Sequence, residues 1–162
     1  MRLTRALALV LMAGGMSLPA AAADLRIDIV VALDKARVAF NMDHLAFEGA
    51  TPSGLFYMER MSQSFTEQHT QWQIVAVFHG PAGYMMLNDE AYNRVKQSSE
   101  GNPYKQLIGK LQKSGVRFEE CGQTARDNGW VNADLLPGVA VNRGAEFRLV
   151  QLVQEGFVQL QP

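Results

Sequence analysis

Residues 102–121 read NPYKQLIGKLQKSGVRFEEC, and this stretch decides the fold. Asn102 supplies an N-cap and Pro103 a first helical residue with no N–H to satisfy. Tyr104, Leu107, Ile108 and Leu111 recur at i, i+3, i+4 and i+7, and Gly115 stops the run. Directly after it, Val116 and Phe118 alternate with Arg117 and Glu119 up to Cys121, which is the period of a strand with one face less buried than the other. A helix feeding a strand is half of a βα repeat, so the stretch predicts an α/β protein with a parallel sheet.

The flanking sequence repeats the pattern. Upstream, Ile74 to Phe78 is continuously apolar, as a central strand covered on both faces requires, and His79, Gly80 and Pro81 end it. The alternating Ala36, Val38 and Phe40 predict a first core strand ending near Asp43 and His44. Thr51 and Pro52 open a helix whose Leu55, Met58, Met61 and Phe65 share a face, and Asn88 with Asp89 and Glu90 suits another helix start. Downstream, a short helix is expected over Gly122 to Asn128. A strand over Val139 to Val141 follows the Pro137-Gly138 turn. A helix over Gly144 to Glu155 has Leu149, Leu152 and Val153 as its buried stripe, and Phe157 to Leu160 closes the chain as a strand. Asp24 to Asp34 reads both ways: Ile27, Ile29 and Val31 alternate like a strand, while Ala32 to Ala36 suits a helix.

The first residues have a different character. Arg2 and Arg5 precede an apolar run from Ala6 to Leu18 and the small residues Ala20 to Ala23, the order of a cleavable signal peptide. The run falls short of the about 20 residues that span a bilayer. The expectation is a signal peptide over residues 1–22, cleaved after Ala22 or Ala23, and one exported, periplasmic domain over residues 23–162 with no membrane span. Loss of Arg2 and Arg5 leaves 13 basic against 16 acidic residues, a net charge of −3. Acids and bases alternate as on a solvated surface, and the lack of a basic block or basic-aromatic interleaving excludes a nucleic-acid partner.

Cys121 is the single cysteine, so no internal disulfide braces the domain. In an oxidising compartment a lone thiol is either buried and inert or exposed and reactive. Ligands of open parallel sheets bind outside the carboxyl ends of the strands, and the predicted strands bring His44, His79, Cys121 and Arg143 to those ends. All four meet at one edge if their strands are adjacent. Cys121 also begins a short helix, whose N–H groups and dipole lower a thiol from its usual value of about 8.5, while Glu119 and Glu120 oppose ionisation.

The segment VRFEECGQTARDNGW, with Cys121, Ala125 and Gly129 in Cys-x-x-x-Ala-x-x-x-Gly spacing, resembles the active-cysteine region of the DsrE/DsrF-like sulfur-relay family. The second strand, VAVFHGPAGYMML, is similar to that family's second strand, an apolar run ending in His-Gly at His79 and Gly80. The order of elements from about Lys35 to Leu160 matches as well. The resemblance implies a three-layer α/β/α sandwich with a five-stranded, mainly parallel sheet, assembly as a trimer or hexamer, and sulfur carried as a persulfide on Cys121. It implies a sulfur carrier or sulfurtransferase-like protein, whose partners are a donor or acceptor protein or a small sulfur species. Only Cys121 carries over as catalytic; His44, His79 and Arg143 remain pocket candidates.

The competing expectation is a non-catalytic module that binds a small ligand or a metal in the same pocket. Cys121 with two histidines suits zinc or copper, and Met85 and Met86 offer soft ligands for Cu(I), although adjacent methionines are the usual filler of cores. His69, near a helix end, reads as solvent-exposed or as a partner of the helix's C-terminal dipole. His44 and His79 read equally as packed or pocket residues. No Gly-x-Ser-x-Gly elbow marks a hydrolase, and Gly80 and Gly83 form no dinucleotide fingerprint, so no cofactor is expected.

Overall fold

The computed structural model describes residues 25–162; the expected signal peptide lies outside them. The chain divides into two units, Met1–Val31 and Ala32–Pro162. In the first, residues 25–31 carry no helix or strand, and Leu25, Ile27 and Ile29 are exposed. Alternation supplies a strand face, but a strand also needs a neighbour to take its N–H and C=O groups.

The second unit runs β1 (Lys35–Met42), β2 (Phe47–Glu48), β3 (Thr51–Pro52), α1 (Ser53–Glu67) and β4 (Gln71–Phe78). A 3₁₀ turn (Gly80–Met86), α2 (Asp89–Lys96), α3 (Lys105–Ser114), β5 (Arg117–Cys121) and α4 (Gly122–Asp127) follow. A second 3₁₀ turn (Asn132–Asp134), β6 (Ala140–Asn142), α5 (Ala145–Gln154) and β7 (Val158–Leu160) complete it. Five strands form one sheet in the order β6-β5-β4-β1-β7, every pair parallel, while β2 and β3 make a small antiparallel ribbon.

The apolar run of β4 does take the central place. One sheet face, with Val38, Phe40, Ile74, Phe78 and Phe118, packs against α1, α2, α3 and the first 3₁₀ turn in the larger core. The other face, with Ala39, Val75, Val77 and Cys121, is covered by Ala145, Leu149 and Leu152 of α5. This is the expected α/β/α sandwich, with its sheet wholly parallel. Each fully buried aliphatic or aromatic side chain contributes about 2 kcal/mol to holding the layers together.

Local differences have physical causes. α3 begins at Lys105, two residues after Pro103, because Asn102 turns inward: its side-chain amide donates to the carbonyls of Met85 and Leu87 at 2.8 and 2.6 Å, and its Oδ1 accepts from the Tyr104 amide at 2.9 Å. Gly115 ends α3 at φ +108°, which a side chain would resist. α1 begins at Ser53, because Thr51 and Pro52 pair with Phe47 and Glu48. Val153 is 48% exposed: it stands one residue past the Ala145–Leu149–Leu152 stripe and turns off the sheet. The largest correction concerns β5. Arg117 is exposed, but Glu119 on the same face is buried, as is Glu120, so that face is open only where the strand begins.

Candidate functional site

Because the sheet is parallel, its strand ends line up at one edge in the order Asn142-Arg143, Cys121, His79, Asp43-His44. The four predicted residues therefore share that edge, but they do not form one bonded cluster. His44 is exposed, and its Nδ1 lies 2.6 Å from Asp43 Oδ1. That contact, strengthened by two bonds from Gln161 Nε2, outweighs partial burial and holds the Asp43 carboxyl below its ordinary value. His79 is half-buried, with Nε2 2.7 Å from Asn41 Oδ1 on the β1 side. β4 separates Cys121 from His44, and neither histidine hydrogen-bonds the sulfur.

Cys121 ends β5 and caps α4 in extended geometry, φ −69° and ψ 118°. Its side chain is 3% exposed and faces the α5 layer. The Ala145 amide, first in α5, donates to Sγ across 3.3 Å. The amides of Thr124 and Gln123 and the Thr124 hydroxyl also favour its anion, the Thr124 amide most of all. Burial is the largest single influence and pushes the thiol up; these four donors together outweigh it and hold the thiol below the ordinary cysteine value. Thr124 is itself fixed, since its Oγ1 accepts from the Gly80 amide at 2.9 Å, tying α4 to the end of β4.

The two acids before Cys121 point to opposite faces, as strand geometry dictates. Glu119 shares the Cys121 face, where Arg148 Nε donates to both its oxygens at 3.0 and 2.9 Å and Asn142 Nδ2 donates at 3.2 Å. This pair floors a cavity of about 440 Å³ between β6 and α5, whose wall includes Asn142, Arg143, Phe147 and Gln151. Arg143 thus lines a cavity beside the thiol's neighbours and does not hydrogen-bond the sulfur. Glu120 points the other way, is fully buried, and neither of its oxygens has a hydrogen-bond partner. Burial first, and the Cys121 charge second, push its carboxyl up to about 9, so it is an uncharged acid at neutral pH.

Sequence reasoning missed Thr124, Asn142, Ala145 and Arg148, and it named Glu119 and Glu120 only as charges opposing the thiolate, whereas Glu119 is paired with Arg148 and Glu120 is uncharged. Thr124 had a local signal: it sits three residues after a helix-capping residue, where an N–H points back at the cap. Met85 and Met86 lie in the core, with exposures of 1% and 0%. Among the described residues no group of three or more His, Cys, Asp or Glu could hold a metal ion. Among them, too, no helix is long and apolar enough to cross a membrane.

The model of the DsrE/DsrF-like family matches residues 29–162, nearly all of the described chain. The chain belongs to the DsrE/DsrF-like family. Its fold is similar to the structure of the protein of unknown function MTH1491 from Methanobacterium thermoautotrophicum, with TM-score 0.61 and 23% identity over 78% of this chain and 99% of that one. It is also similar to the crystal structure of the ychN protein from E. coli, with TM-score 0.55 and 14% identity over the same shares, 78% and 99%. A comparison with curated proteins finds no match. These likenesses establish a DsrE/DsrF-like fold.

Proposed function

We propose that this DsrE/DsrF-like protein carries sulfur as a persulfide on Cys121. The observation that supports it is the set of donors around Sγ, from Ala145, Thr124 and Gln123, which favour the thiolate despite burial. The thiolate attacks the outer sulfur of a persulfide donor R–S–SH; the donor's S–S bond breaks, R–S⁻ leaves, and a Cys121 Sγ–S bond forms. Attack by an acceptor thiolate on the outer sulfur reverses the exchange, and no external oxidant or reductant is consumed. With 3% of the residue exposed, a slender sulfur species or a projecting persulfide suits the site better than a bulky substrate.

Export to the periplasm through a cleaved signal peptide belongs to the same proposal and rests on Arg2, Arg5, the apolar run and the alanines. So does assembly as a trimer or hexamer. Phe147, Val150 and Val153 leave 73%, 58% and 48% of their surface exposed on α5, an apolar stripe that a second copy would cover.

Intact mass after incubation with a polysulfide tests the relay. Wild type should gain one sulfur atom, removable by reductant, and Cys121→Ser should gain none. A second reading, a non-catalytic binding module in which Cys121 is lining, is favoured by the burial of the thiol among Val75, Val77, Leu149 and Leu152. Unmodified wild type under conditions where the unfolded chain takes up sulfur would select it.

A further inference from the structure

Glu120 is the described acidic residue with no exposed surface, and it lies one position before the working thiol. Its carboxyl lies against Gly83, where Thr124 and Trp130 also approach. A Cβ placed on Gly83 would fall 2.7 Å from Glu120 Oε1, 3.0 Å from Thr124 Cγ2 and 3.2 Å from Trp130 Cζ3. Phe78 and Val141 flank it in the sheet. None of these neighbours carries a charge. His79, at the end of β4, is turned to Asn41, and Cys121 is the ionisable neighbour whose charge acts on Glu120.

The end of β5 thus holds two acidic groups with opposite provision. The sulfur has amide and hydroxyl donors around it, while the carboxyl has none. A buried anion without donors is far costlier than one with several. The negative charge therefore belongs on sulfur and the proton on Glu120. Thr124 links the two: its amide and hydroxyl serve the sulfur, and its methyl borders the spot against Gly83 that the carboxyl also borders.

We propose that Glu120 is a positioning residue for Cys121: as an uncharged acid wedged against Gly83 and Thr124, it holds the turn whose donors stabilise the thiolate. The proposal rests on the reading of Cys121 as the working thiol and adds the residue that keeps it so.

Two spectroscopic titrations test it without any sulfur donor, so they stand apart from the fate of the persulfide. Ultraviolet absorbance reads the thiolate, and the infrared carbonyl band of a protonated acid reads Glu120. Glu120→Gln, uncharged and of the same shape, should keep the wild-type thiol midpoint. Glu120→Ala, which empties the pocket beneath Thr124, should raise the midpoint by about half a pH unit or more, a roughly threefold smaller thiolate fraction near neutrality. In Cys121→Ser the Glu120 band should persist at pH 7 and titrate at lower pH than in wild type. Unchanged thiol titration in folded Glu120→Ala overturns the positioning role. Should that variant fail to fold, the band decides: its absence from wild type at pH 7, or an unmoved band in Cys121→Ser, overturns the proposal.

Discussion

The Ala145 amide donates to the Cys121 sulfur across 3.3 Å, joining the start of α5 to the end of β5. Residues 24 positions apart in sequence thus share one hydrogen bond. The first N–H groups of a helix have no partner inside it, and an acceptor that becomes an anion gains most from them.

Ala145→Pro removes that donor and leaves the helix start intact. Proline suits a first helical position, and Gly144 before it is already extended at φ −179° and ψ 137°. The thiol midpoint should rise and the thiolate fraction at pH 7 fall by roughly threefold or more. Thiolate absorbance against pH, with Ala145→Gly as the variant that keeps the amide, makes the measurement. Identical curves for proline and glycine would show that the amide contributes nothing.

Arg148 secures the floor of the neighbouring cavity. The side chains of Glu119 and Arg148 are 11% and 19% exposed, and the guanidinium is the charge that compensates the buried carboxylate. Arg148→Met should cost about 3 kcal/mol in urea unfolding, and adding Glu119→Gln should recover much of that loss, because the stranded charge goes with it. Purely additive losses would mean the two groups do not depend on each other.

How far these features were legible differs from element to element. The periodic helix before Gly115 and the apolar run of β4 carried their own structure, since period, length and a glycine stop are local properties. The Asn102 cap did not form, because that side chain serves the carbonyls of Met85 and Leu87. The shared edge followed from parallel strands, but the strand order did not, because β7 comes from the end of the chain to lie beside β1. Glu119 and Glu120 defeated the reading for a related reason. Alternation in β5 says which residues share a face, whereas α5, from another part of the chain, decides that the Glu119 face is covered. The donor at Ala145 is a backbone group, and its side chain gives no sign of it.

Gly83→Ala tests whether the Glu120 carboxyl lies where the geometry places it. The added methyl meets Glu120 Oε1 and Thr124 Cγ2 at 2.7 and 3.0 Å, and overpacking of this kind costs about 1–3 kcal/mol. Shortening Glu120 in the same chain should relieve part of the cost, a coupling that a double-mutant cycle reads directly. A Gly83→Ala protein as stable as wild type would place the carboxyl elsewhere.

The last prediction concerns pH and Glu120. Its carboxyl rises from 4.5 to about 9 on folding, with burial the main cause and the Cys121 charge the second. Below 4.5 the native and unfolded chains both hold the proton, and the stability contributed by the neutral acid is fully present. As pH climbs from 4.5 towards 9, the unfolded chain releases the proton and the native one keeps it. Stability is therefore lost at up to about 1.4 kcal/mol per pH unit, until ionisation in the fold ends the trend. Glutamine has no proton to lose. The stability of Glu120→Gln relative to wild type should rise steadily between pH 5 and 8.5, gaining on the order of 2–4 kcal/mol by pH 7.5. The constant cost of burying an amide shifts the whole difference and leaves its slope unchanged. Urea unfolding at half-unit pH steps measures that slope, and parallel curves for the two proteins would mean that Glu120 is charged in the fold.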